Sequence, residues 1–172
     1  MPYESTVVSN ASPLIYLAKI GKLNLLKQLF KEVIIPSQVF METVRTREKT
    51  PDVAIITAAH KEGWVKLDST KLPEAKALQE MARIHPGEAE AILLAKRRKL
   101  DLLIDEREAA TTAHTLGVRT MGLLAALTLA CANGLLSYSE FKESIDALVK
   151  AGFWITIDVY NRALERAKEA LR

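Results

Sequence analysis

The chain has 172 residues, 49% of them apolar and 26% charged, with a formal net charge of +3. That size and makeup suit one soluble globular domain (1–172) with a sizeable core, and no apolar run approaches the ~18 residues a membrane span needs. The N-terminus has no basic stretch followed by an apolar one, so it does not read as a signal peptide. The mild positive charge permits a nucleic-acid partner without requiring one. The single cysteine, Cys131, cannot form an internal disulfide, which points to a reducing cytoplasm. Its apolar helical setting suits a small buried hydrophobe better than a nucleophile.

In chain order, strand-like and helix-like segments alternate, the pattern of an α/β fold with a parallel sheet. Thr6–Ser9 reads as the first strand. It breaks at Asn10 into small polar residues, where Ser12 suits an N-cap and Pro13 the first helical position. Helices are expected over Pro13–Ile20 and Leu23–Phe30, parted by Gly21. A short strand, Val33–Ile35, leads through Pro36 and Ser37 into a helix to about Arg47, and another helix runs from Thr50 to Gly63. Trp64–Leu67 reads as the third strand and 70–83 as a polar amphipathic helix. After the break at His85-Pro86-Gly87, a strong helix spans Glu88–Lys99. Leu102–Ile104 is an apolar strand of the buried parallel type, ending at Asp105. Glu106–Leu116 is helical, with Gly117 at the C′ position, and Val118–Met121 is a fifth strand. Leu123–Ala132 is nearly all apolar, so it belongs in the core or in a subunit interface. Helices over Ser139–Val149 and Asp158–Leu171 flank Phe153–Ile157, which reads as a late edge strand.

Four polar residues sit where such a sheet binds ligands, at or near strand ends. Asn10 ends the first strand and Asp105 the fourth. Glu88 lies in the first turn of its helix, on the side of Ile92 and Ala95. Glu42 lies three residues after Val39. Each has a plainer reading as well. Asp105 with Glu108 resembles a capping box, Glu88 complements a helix dipole, Glu42 suits a solvated face and Asn10 a turn. Converging carboxylates repel unless a cation shares the site, and hard oxygen donors suit Mg²⁺ or Mn²⁺, the ions of metal-dependent nucleases. His60, His85 and His114 lack ligand spacing, and no glycine-rich loop cradles a phosphate. Lys96 to Lys99 form the sharpest basic cluster, and Arg45, Arg47, Lys49 and Arg107 lie near Glu42 and Asp105 in sequence. These cations could hold a nucleic-acid backbone or simply balance charge.

The set Val7-Val8-Ser9-Asn10-Ala11-Ser12-Pro13-Leu14-Ile15, Ile35-Pro36-Ser37-Gln38-Val39-Phe40-Met41-Glu42, Gly87-Glu88-Ala89-Glu90-Ala91-Ile92 and Leu102-Leu103-Ile104-Asp105-Glu106 resembles the PIN domain family of ribonucleases. It is similar above all to a poorly characterised branch of bacteria and archaea, related to the toxins of toxin–antitoxin pairs. The resemblance implies a three-layer αβα fold around a mostly parallel sheet of about five strands. The core would span about 6–125, with a helical extension over about 126–172. It also implies single-stranded RNA cleavage with Mg or Mn held by Glu42, Glu88 and Asp105, and an antitoxin protein and a second copy of the chain as partners. Ser12 matches the hydroxyl residue that accompanies the first acid. Asn10 departs from the pattern, which has aspartate there, and Glu106 is the nearest acid to compensate. Arg45, Arg107, Lys96 and Arg97 are the candidates for the RNA backbone.

Overall fold

A computed structural model describes residues 3–45 and 48–172. The strands are β1 (Tyr3–Ser9), β2 (Phe30–Pro36), β3 (Val65–Asp68), β4 (Asp101–Leu103) and β5 (Thr120–Met121). They form one sheet in the order β3-β2-β1-β4-β5, with every neighbouring pair parallel. The described residues also form ten α-helices: α1 (Ala11–Lys19), α2 (Asn24–Leu29), α3 (Ser37–Phe40), α4 (Pro51–Glu62), α5 (Ala75–Ala82), α6 (Pro86–Arg98), α7 (Arg107–Thr115), α8 (Leu123–Ala132), α9 (Tyr138–Lys150) and α10 (Ile157–Ala170). The expected α/β fold with a five-stranded parallel sheet is therefore present.

The strand order fixes the layers. From β1 the chain steps outward through β2 to β3, then returns across β1 to β4 and β5. Crossovers between parallel strands are right-handed, so a reversal of direction moves the connecting helices to the opposite face. The contacts agree: α1 packs with α4, whereas α5, α6 and α7 pack with one another and α6 lies across β1, β2 and β4. Val8, Val33, Ile35, Leu102 and Leu103 are almost wholly buried between the two layers. After β5, α8 packs against α2, α9 and α10. The apolar side of α8 (Leu123, Leu127, Ala130 and Cys131) is thus covered within the chain itself. Among the described residues no helix is long and apolar enough to cross a membrane.

Several local expectations are corrected. Phe153–Ile157 is not an edge strand, and the sheet ends at β3 and β5. Gly152 takes a left-handed conformation (φ 97°), the Phe153 N–H closes the end of α9 on the Leu148 carbonyl, and Thr156 caps α10 through the Val159 N–H. These local bonds leave the segment no ladder to join. Phe30 opens β2 instead of closing α2, and α5 is shorter than the polar pattern over 70–83 implied. Helix α3 is a single turn that widens into a π-helical turn at Met41–Arg45, and the end of the expected Pro36–Arg47 helix, with Arg47, lies outside the described residues. Helix α1 begins at Ala11 with Asn10 as its N-cap residue, so Ser12 is not the cap and Pro13 is the third helical residue. Its missing N–H is still one that the first turn leaves without a partner.

Ile92 ties α6 to the sheet and is fully buried. Ile92→Ala is expected to cost about 2–5 kcal/mol, the range for deleting a buried aliphatic side chain. Urea unfolding followed by circular dichroism measures it.

Candidate active site

The sheet reverses direction at β1, so the crevice beyond the C-terminal ends of β1 and β4 is its topological switch point, the place where open α/β sheets bind ligands. Ser9 pairs with Leu103 at the end of this ladder, and the Asn10 N–H continues it to the Leu103 carbonyl at 2.9 Å. Asn10 is therefore anchored by its backbone and only 3% exposed. Its amide nitrogen donates to Glu106 Oε2 at 3.1 Å, and the Ser12 hydroxyl donates to Glu106 Oε1 at 2.6 Å. Only the nitrogen of the amide can face a carboxylate, so Asn10 Oδ1 points elsewhere; it is buried without a partner.

Asp105 does not cap the helix that follows it; Glu106 stands at the N-cap of α7 instead. Asp105 reaches across to α8, where Oδ1 accepts the Leu123 N–H at 2.8 Å. A carboxylate is favourable at that helix N-terminus. Gly122 permits the approach, since a Cβ there would lie 3.1 Å from Oδ1. Asp105 Oδ2 is buried with no partner. Burial pushes the Asp105 carboxyl up to about 6; the Leu123 N–H works against this and the Glu106 charge adds to it.

The other two acids meet at the start of α6. Glu88 is 4% exposed, and its Oε2 accepts the His85 N–H at 2.9 Å. Glu42, from the π turn, accepts the Gly87 N–H at 3.1 Å and the Gln38 amide at 3.4 Å. A Cβ on Gly87 would fall 2.4 Å from the Glu42 carboxylate, so only glycine allows this contact. Glu90 is engaged separately and accepts the Gln38 backbone N–H at 2.8 Å. Burial raises the carboxyls of both Glu42 and Glu88 above the ordinary glutamate value. The repulsions link the acids in a row: Glu90 acts on Glu42, Glu42 and Glu106 act on Glu88, and Glu106 acts on Asp105.

The expected cations are less concentrated. Arg45 is exposed, with its guanidinium 5.9 Å from the centre of the Phe40 ring. Arg107 is exposed beside Glu106. Lys96 and Arg97 lie in the last turn of α6, about 12 Å and more along the helix from Glu88. Arg97 bonds the Lys71 carbonyl and pairs with Glu74, away from the acidic row. Gln38, Gly87 and Gly122 support the acids but were not marked as site residues by the sequence. The glycine directly before Glu88 was the available signal of close approach.

Among the described residues no three His, Cys, Asp or Glu side chains already converge as a metal cage. The donor chemistry nonetheless fits a hard divalent cation. Two buried oxygens, Asn10 Oδ1 and Asp105 Oδ2, lack partners, and the surrounding groups are carboxylates, the hard oxygen donors such a cation takes.

The parallel α/β sheet with acids gathered at its switch point is an architecture of the nuclease-type fold that PIN domains share. A family model described as a PIN domain matches residues 6–169, and the chain belongs to that family. No curated protein and no solved structure gives a significant match.

The elevated Asp105 carboxyl sets a pH dependence. The metal-free folded state binds this proton more tightly than the unfolded chain, so its stability falls as pH rises from about 4 to about 6. At pH 7 Asp105→Asn is expected to stabilise metal-free protein by up to about 3 kcal/mol and to flatten that slope. Thermal unfolding in EDTA across this range checks both.

Proposed function

We propose that this protein is a metal-dependent endoribonuclease that cuts single-stranded RNA. The observation that carries the reading is the pair of unpartnered buried oxygens, Asn10 Oδ1 and Asp105 Oδ2, beside a row of carboxylates at the switch point. Asp105, Glu88 and Glu42 would hold Mg²⁺ or Mn²⁺. Such a cation offsets the charge that develops at phosphorus and makes water more acidic. Asn10 contributes a neutral oxygen, and its nitrogen fixes Glu106, so Glu106 brings to the edge the negative charge that position 10 lacks. Ser12 holds the same carboxylate from the other side. Arg45 and Arg107 are the cations near enough in the chain to steady the RNA backbone. Within this reading the protein acts in the cytoplasm as the toxin of a toxin–antitoxin pair, with an antitoxin protein and a second copy of the chain as partners.

The test is cleavage of single-stranded RNA with Mn²⁺ or Mg²⁺. Asp105→Asn is expected to lower the rate on the order of a hundredfold or more. Equal rates in the two proteins, or none in either, sink the proposal.

The neutral amide at Asn10 and the lack of three converging ligands among the described residues favour a second reading, a PIN-type module that binds RNA or protein without cutting. Calorimetric titration with Mn²⁺ separates the two, because carboxylate-dependent binding counts against the second. Asn10→Asp sharpens the comparison. It removes the donor to Glu106 and sets two carboxylates together, so metal-free protein should lose about 1–3 kcal/mol. Recovery of that loss on adding Mn²⁺, read as a thermal shift, is expected of a metal site.

A further inference from the structure

Beside Asp105 and Glu106 the surface opens into a cleft of about 530 Å³, lined also by Tyr16, Phe153, Trp154, Leu124, Ala125 and Val159. Those last three residues also line a second hollow of about 300 Å³ that reaches Arg162 and Arg166. Through them the two hollows adjoin along α8 and α10. Together they make a groove with acids and aromatic rings in its first part and two guanidinium groups in its second.

The chemistry changes along this groove. No Lys or Arg lines the first hollow, and its two carboxylates disfavour a phosphate, so it suits a planar, uncharged group. Tyr16 and Phe153 are locked edge to face at 5.2 Å, and the Tyr16 hydroxyl donates to the Gly152 carbonyl. Trp154 is different. It is 82% exposed, although its neighbours on both sides are half-buried. Arg162 and Arg166 stand four residues apart on the same face of α10, both exposed, and neither guanidinium has an ion pair or hydrogen bond among the described residues. An aromatic face followed by free cations is what a single-stranded polynucleotide requires, with bases on one and phosphates on the other. A paired base could not offer its face to Trp154.

We infer that this groove is a track for single-stranded RNA, in which a base stacks on Trp154 beside Asp105 and Glu106 while neighbouring phosphates lie on Arg162 and Arg166. The direction of the track into the acidic edge rests on the nuclease reading. The stacking and phosphate contacts themselves do not.

Binding and cleavage are measured separately. In EDTA, where no cleavage proceeds, a short fluorescein-labelled single-stranded RNA is titrated by anisotropy, and an unlabelled one by tryptophan emission. The chain has two tryptophans, and Trp64 is buried at 8% exposure, so quenching by RNA reports on Trp154. Trp154→Ala should weaken binding about 5- to 150-fold, and Trp154→Phe should restore most of it. Arg162→Ala with Arg166→Ala should lower the slope of log affinity against log salt by about 1.4. These side chains are exposed, so the variants should keep the wild-type circular dichroism spectrum. Unquenched emission with equal affinity in Trp154→Ala overturns the track and leaves the indole to a protein contact. Quenching without Mn²⁺-dependent cleavage upholds the track and overturns the nuclease reading. Cleavage without quenching does the reverse, and failure of both removes both.

Discussion

The pairing of β1 with β4 is the constraint on which the rest depends. These strands meet where the chain reverses its course across the sheet, and the ladder ends at Ser9 and Leu103. One further backbone bond, from Asn10 to Leu103, fixes the first residue beyond the strand. Everything polar at the edge is measured from that point. Glu106 is reached by Asn10 and Ser12 because β4 delivers it opposite the start of α1. Asp105 is carried to α8 because β4 stops one residue before Ile104, whose N–H still bonds the Met121 carbonyl of β5.

Parallel strands direct the helix that follows each of them to begin at the same edge, and the acids exploit this. Glu88 accepts the His85 N–H and Glu42 the Gly87 N–H, both at the start of α6. Glu90 accepts the Gln38 N–H of α3, and Asp105 the Leu123 N–H of α8. Each of these four carboxylates thus ends on a backbone donor that its own or a neighbouring helix leaves free. The partial positive charge of these N–H groups lets the acids stand together without direct ion pairs. It offsets only part of the effect of burial, which still raises the carboxyls of Glu42, Glu88 and Asp105, with smaller additions from neighbouring acids.

Much of this was legible in the sequence. Alternating β-branched runs and helical spacing locate all five strands, and Asn10 and Asp105, just beyond the ends of β1 and β4, stand out in the sequence as polar breaks after apolar runs. What escaped was set by contacts between distant segments. Ser12 looked like a cap because its neighbours are cap-like, but its hydroxyl is drawn away by Glu106, 94 residues further on. Asp105 and Glu108 carry the spacing of a capping box, yet the free N–H of Leu123 captures Asp105 instead. Phe153–Ile157 has strand-like residues, but Gly152 and Thr156 bind it to the ends of two helices. Lys96 and Arg97 stand out in the sequence as part of its sharpest basic cluster, but they lie in the last turn of α6, and Arg97 turns to the Lys71 carbonyl and Glu74.

The bond from Asn10 to Glu106 has a consequence for how such a chain can change over time. An amide at one position and a carboxylate at the other form a complementary couple, donor to acceptor. Two acids there would repel, and two amides would lose the charge. Without a cation, changing either position alone breaks the couple, whereas a cation between them would accept two acids. The edge can thus hold its negative charge on one strand end or the other while the backbone beneath it stays the same.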